Sequence, residues 1–133
     1  MKINTRLKLM GLWISLLFLY VYCDIFSFFR TGILSEIADG LIGPFEISQG
    51  MLAVLGLLMI IPALMILACM FLKEGPVRII NIIAGIAYTI INIGNLIGET
   101  WVYYWIFGIA ETVVSLFIVI NAIKWTKGEF THE

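Results

Sequence analysis

Four long apolar segments, separated by short polar stretches, organise this chain. In the third, about Val77 to Gly98, the polar and small residues Asn81, Gly85, Tyr88, Asn92, Asn95 and Glu99 follow one another at alternating steps of four and three. That spacing draws a single stripe down one face of an α-helix. Nearly everything between these positions is Ile, Leu, Ala or Gly, so the stripe has to be sheltered by other helices rather than by water. The first segment, about residues 7–29, carries Tyr20, Asp24 and Ser27 on one face, continuing Trp13 and Leu17. The second, about residues 50–72, is the most purely apolar and holds Pro62 at its middle, where a missing backbone N–H predicts a kink. Met59, Met65 and Met70 beside the kink suit either core filling or an adaptable cavity wall. The fourth runs from Trp101 to about Ile123 after a very short turn at Glu99 and Thr100, which makes it the antiparallel neighbour of the third.

Between the first two spans, Ile33, Leu34, Ile37, Leu41 and Ile42 recur at helical spacing with Ser35, Glu36 and Asp39 among them. This predicts a short amphipathic helix at the membrane interface, ended by Gly43-Pro44. Lys73-Glu74-Gly75-Pro76 reads as a tight turn, and the tail from Lys124 as polar and frayed. Gly94 and Gly98 form a GxxxG pair through which a helix of another copy can approach, offering a route to an oligomer. The expected fold is therefore all-α: an integral-membrane four-helix bundle, a single domain over residues 1–133 with spans at about 7–29, 50–72, 77–98 and 101–123.

Composition agrees. Of the 133 residues, 62% are hydrophobic and 13% charged, against roughly 45–50% and 25% in soluble globular chains. The bulky Tyr20, Val21 and Tyr22 before Cys23 do not suit a signal-peptide cleavage site, so the first segment is expected to be retained. A net charge of −1 without a basic tract argues against nucleic acid as a partner. Cys23 and Cys69 show no metal-ligand spacing and belong near opposite membrane faces, too distant for a disulfide. The single histidine, His132, excludes a bis-histidine haem, and neither metal nor cofactor is expected. Lys2, Arg6, Lys8, Lys73, Arg78, Lys124 and Lys127 fall on one side and only Arg30 on the other. The positive-inside rule then places both termini in the cytoplasm, in an inner cell membrane. Trp101, Tyr103, Tyr104 and Trp105 make one interfacial aromatic belt, and Trp125 marks the opposite interface.

At about 1.5 Å of rise per residue, Glu111 falls near the bilayer midplane. Tyr20 and Tyr88 share its level, Asp24 and Asn92 lie about one turn further out, and Tyr104, Asn95 and Ser27 a turn beyond. Ser115 continues the Glu111 face inward. A carboxylate at that depth costs at least about 2.5 kcal/mol. With no Lys or Arg at its level, Glu111 is expected to be held as the neutral acid. The expected site is a polar funnel lined by Asp24, Glu111, Asn92, Tyr88, Tyr20, Asn95 and Tyr104.

Leu12-Trp13, Tyr22-Cys23-Asp24, Pro62 with Met65, Arg78 with Asn81, Tyr104, Glu111 and Trp125 resemble the pattern of small four-span prokaryotic membrane proteins grouped as a domain of unknown function, near the DoxX-like group. The resemblance covers nearly the whole chain and implies a four-helix fold, with no activity attached. DoxX-like proteins include membrane partners of quinone-linked oxidoreductases, which implies an accessory role as one alternative. Three functions remain in play from the residues. The first is binding or carriage of a small amphipathic or cationic ligand such as a lipid or quinone. The second is intramembrane acid/base catalysis by Asp24 and Glu111 on a lipid-like substrate, against which stands the lack of a nucleophile, metal or cofactor motif. The third is an accessory subunit of a quinone-linked membrane complex.

Overall fold

A computed structural model of the chain describes residues 3–125; Lys2, Lys127 and His132 lie outside the described residues. The chain folds as α1 (Thr5–Ser27), α2 (Ile33–Ala38), a two-stranded hairpin of β1 (Leu41–Ile42) and β2 (Phe45–Glu46), then α3 (Gln49–Phe71), α4 (Glu74–Leu96) and α5 (Val102–Ile123). Among the described residues, α1, α3, α4 and α5 are long and apolar enough to cross a membrane. Isoleucine, leucine and phenylalanine cover most of their exposed surface, from Phe18 and Leu57 to Ile90 and Ile106. A surface of this kind is matched to hydrocarbon and not to water.

Local signals set the helix ends. Asn4 caps α1 by accepting the Leu7 N–H at 2.9 Å, and Ser48 caps α3 by accepting that of Met51 at 3.1 Å. The N-terminus of α5 is served from a distance of two residues. The Glu99 carboxylate accepts the backbone N–H groups of Thr100 and Trp101, both at 3.1 Å, so an anion sits at the positive end of the helix. Two C-terminal ends are closed by arginines. Arg6 donates to the Cys69 carbonyl of α3 at 2.7 Å, and Arg78 donates to the Ala122 and Ile123 carbonyls of α5 at 3.0 and 2.9 Å.

The loop departs from expectation. Helix α2 stops at Ala38, because Gly40 takes φ 81° and turns the chain out of the helix. Leu41 and Ile42, read above as its last apolar turn, instead pair with Phe45 and Glu46 around Gly43-Pro44.

Packing is uneven around the bundle. α5 lies along both α4 and α1, and α1 also lies along α3, whereas α3 meets α4 only sparsely despite the tight turn joining them. Small residues allow the closest approaches. At Gly85 an added Cβ would stand 2.7 Å from Val119 Cγ2, and at Gly108 it would collide with the Leu96 side chain. The GxxxG pair plays no such part within the chain: Gly94 has open space beside it. Gly98, at φ 80°, lies beyond the end of α4, so the two do not share a helical face.

Candidate functional site

The interior of the bundle is a ladder of side-chain hydrogen bonds from α4 to its neighbours. Asn81, Gly85, Tyr88 and Asn92 are all buried, on the face that the four-and-three spacing defines. Near the basic end, the Trp13 indole N–H donates to Asn81 Oδ1 at 2.8 Å. The Asn81 amide donates in turn to the Val77 carbonyl at 2.7 Å and to Cys69 Sγ at 3.5 Å.

One step further along, the Tyr88 hydroxyl donates to the carbonyl of Leu58 on α3. This carbonyl lies four residues before Pro62, so it is the one that the proline leaves without an intrahelical partner. An unmet carbonyl in hydrocarbon is costly, and Tyr88 meets it from the next helix. The Tyr88 ring is fixed by Trp13, edge-on at 5.8 Å between centroids, and by Tyr20 at 6.3 Å. Met65 beside the proline is buried and Met59 half-buried, while Met70 is exposed.

The next layer joins three helices. Tyr20 donates to Asn92 Oδ1 at 2.6 Å, and Asn92 Nδ2 reaches the Glu111 carbonyl at 3.2 Å and Ser115 Oγ at 3.3 Å. Thr89 donates to Ser115 at 2.9 Å. Here lies Glu111, the tenth residue of α5, only 6% exposed. Its backbone carbonyl is used by Asn92, but its carboxyl has no hydrogen-bond or ion-pair partner among the described residues. Tyr20, Cys23 and Asp24 of α1 and Tyr104 of α5 are all within electrostatic range of it. Glu111 thus faces α1 from α5, with the Asp24 carboxyl near it in space.

Two expected members of the funnel are placed elsewhere. Asp24 is exposed on α1: the buried positions are Thr5, Leu9, Trp13, Leu16 and Cys23, with Tyr20 and Ser27 half-buried, and Asp24 falls one residue past that face. Its carboxyl also lacks a hydrogen-bond or ion-pair partner among the described residues. Asn95 is exposed as well, because Leu96, filling the space left by Gly108, takes the inward seat at the end of α4. Tyr104 is half-buried beside Tyr103, with the rings 6.0 Å apart at a steep angle.

Beyond the end of α1, between the loop and the start of α5, sits a clamp that residue spacing gave no sign of. Arg30 and Glu99 pair with both oxygens engaged, at 3.2 and 3.4 Å, and the guanidinium lies 5.0 Å from the Trp101 ring and 5.9 Å from that of Tyr103. Partial burial pulls the Arg30 pKa down, but the adjacent Tyr103 and Glu99 more than offset this and leave it above its ordinary value. The Tyr103 and Ser27 hydroxyls, 2.9 Å apart, tie α5 to α1 just beneath. At the opposite end Trp125, expected as an interfacial marker, is buried and lies under Arg6 at 5.6 Å.

No group of three or more His, Cys, Asp or Glu residues is placed to hold a metal among the described residues. Four helices long and apolar enough to cross a membrane, around an internal polar ladder, suggest a small multi-span membrane protein. The chain belongs to a family of unknown function, DUF6326, whose model matches residues 2–132. A relation to the DoxX-like group is not shown. Neither the curated proteins nor the solved structures contain a match to it.

Proposed function

We propose that this chain is a multi-pass protein of the inner cell membrane that binds a small cationic or amphipathic ligand beside Glu111, where α5 meets α1. The observation that carries the reading is the contrast between Glu111 and its surroundings. Asn81, Tyr88, Asn92, Thr89 and Ser115 all have partners, while the carboxyls of Glu111 and Asp24 have none among the described residues. Interhelical adhesion needs no ionisable group, and two acids without a basic partner in apolar helices are a standing cost of at least about 2.5 kcal/mol for a charged one at depth. A cation entering beside Glu111 removes that cost, and Tyr20 and Tyr104 supply aromatic contact area.

The test is a thermal-shift series in detergent with dodecyltrimethylammonium and, as the uncharged control, dodecanol. The cation is expected to stabilise the wild type and to lose its effect in Glu111→Gln and Asp24→Asn. An equal response of wild type and Glu111→Gln would end the proposal.

A second reading draws on the exposure of Asp24. A carboxyl on the outward face of a membrane helix suits a cation brought by a neighbouring subunit, the accessory role in a quinone-linked complex. Loss of a co-purifying partner in Asp24→Asn, with the ammonium response intact, would favour it. No observation favours the acid/base enzyme.

The orientation proposed puts both termini in the cytoplasm, with Arg30, Glu99 and the α2 segment outside and α2 lying at the interface. Cys23 and Cys69 are buried, so an impermeant thiol reagent on intact cells should label Ser35→Cys and not Glu74→Cys. The opposite pattern would invert the topology.

A further inference from the structure

A second feature lies at the basic end of the bundle, away from Glu111 and Asp24. A groove of about 400 Å3 runs between the first half of α1 and the last half of α5, with Leu7, Lys8, Gly11 and Leu12 on one wall and Phe117 and Asn121 on the other. Its volume falls in the range of roughly 300–1,000 Å3 typical of small-molecule sites. From Lys8 to Ser15, the deepest lining position on α1, the groove extends about 10 Å along the helix axis. Gly11 keeps it open: an added Cβ there would meet nothing within 4 Å.

The charges at this end are not equivalent. Arg6 is committed to the Cys69 carbonyl and the Trp125 ring, and Arg78 to the two last carbonyls of α5. Lys8 is exposed, lines the groove, and has no hydrogen-bond or ion-pair partner among the described residues. It stands one turn inside the start of α1, the depth at which a lysine reaches headgroup phosphates while its stem lies along the chains.

We infer that this groove is a binding site for an anionic phospholipid, with the headgroup phosphate on Lys8 and the upper part of one acyl chain along Gly11, Leu12 and Phe117. A positive mouth over an apolar floor matches the two ends of such a lipid. A zwitterionic headgroup offers the same phosphate but brings its own ammonium beside Lys8, so the net anion is preferred.

Native mass spectrometry of the full chain, released from detergent after exposure to equal amounts of dioleoyl phosphatidylglycerol and dioleoyl phosphatidylcholine, reads this directly. The wild type is expected to retain phosphatidylglycerol about five-fold over phosphatidylcholine. Lys8→Gln should bring the two to parity, and Lys8→Arg should keep the preference. Lys73→Gln, at the same end but outside the groove, should leave it unchanged. Gly11→Phe folds into open space and should lose both lipids. Parity in the wild type, or a preference that survives Lys8→Gln, would overturn the site. So would a loss of equal size in Lys73→Gln, which would assign the attraction to the basic end as a whole, or full lipid retention by Gly11→Phe.

Discussion

The Trp13–Asn81 layer and the Glu111 layer lie on the same bundle, yet they treat polar atoms in opposite ways. In the first, an indole N–H meets an amide oxygen, and the amide N–H groups meet a carbonyl and a sulfur. In the second, Tyr20, Asn92 and Ser115 are bonded to one another and to the Glu111 backbone, while the Glu111 side chain stands apart from the network that surrounds it. Both layers are buried, so burial does not separate them. What separates them is whether removal of the polar group leaves something behind unsatisfied. Where it does, the group holds the bundle together; where it does not, the fold gains nothing visible from it, and a role outside the fold accounts for its presence.

The sharpest break is expected in the first layer. Asn81→Leu strips the acceptor from the fully buried Trp13 N–H and should cost roughly 1–3 kcal/mol, before any strain from the new shape. Ile93→Leu, on the exposed side of the same helix, should stay within about 0.5 kcal/mol. Melting temperatures of the two variants in one detergent compare them. Equal values would mean that water enters this layer and that the contrast between layers is false.

A smaller effect belongs to the Tyr88–Leu58 bond, and here non-additivity is the measurement. Tyr88→Phe removes the donor to the Leu58 carbonyl and should cost about 1 kcal/mol. Pro62→Ala returns an N–H to α3 that can serve Leu58 from within its own helix. On that background Tyr88→Phe should therefore cost only a few tenths of a kcal/mol. Equal costs with and without Pro62 would show that the two helices are held by something other than this carbonyl.

The inner face of α4 is readable from spacing alone because burial and polarity coincide there: Asn81, Gly85, Tyr88 and Asn92 are at once the polar and the enclosed positions. The reading fails where the two part company. On α1, the turn that holds Tyr20, Cys23, Asp24 and Ser27 fits either of two faces one residue apart, and the apolar Cys23, not the acid, has the inward seat. In hydrocarbon a polar side chain is expected inside, yet Asp24 sits within about one turn of the helix end, where an outward carboxyl can reach the interface. Asn95 fails for a related reason, since Gly108 makes a hollow that only the larger Leu96 fills. Pro62 names the carbonyl it frees, four residues back, but only the folded bundle supplies Tyr88 as the donor. The Arg30–Glu99 clamp joins residues far apart in sequence and leaves no periodic trace.

The smallest effect on stability should come from Glu111→Gln, and its smallness is the point. The amide has nearly the shape of the carboxyl, and the bond Asn92 makes at this residue goes to the main chain, which the substitution leaves in place. The Glu111 side chain itself has no partner to lose among the described residues. A change within about 0.5 kcal/mol is therefore expected in the ligand-free protein, although the residue is almost fully buried. Asp24→Asn, exposed, should be as mild. The same two substitutions remove the charge that a cation would seek, so each should abolish the thermal shift with dodecyltrimethylammonium while the melting temperature without it hardly moves. A pH dependence of that shift between about pH 5 and 9, present in the wild type and absent from Glu111→Gln, would tie the binding to this titrating group. A loss of several kcal/mol in Glu111→Gln would instead place the carboxyl with the amides of the first layer, as a group the fold depends on, and the division between the two layers would vanish.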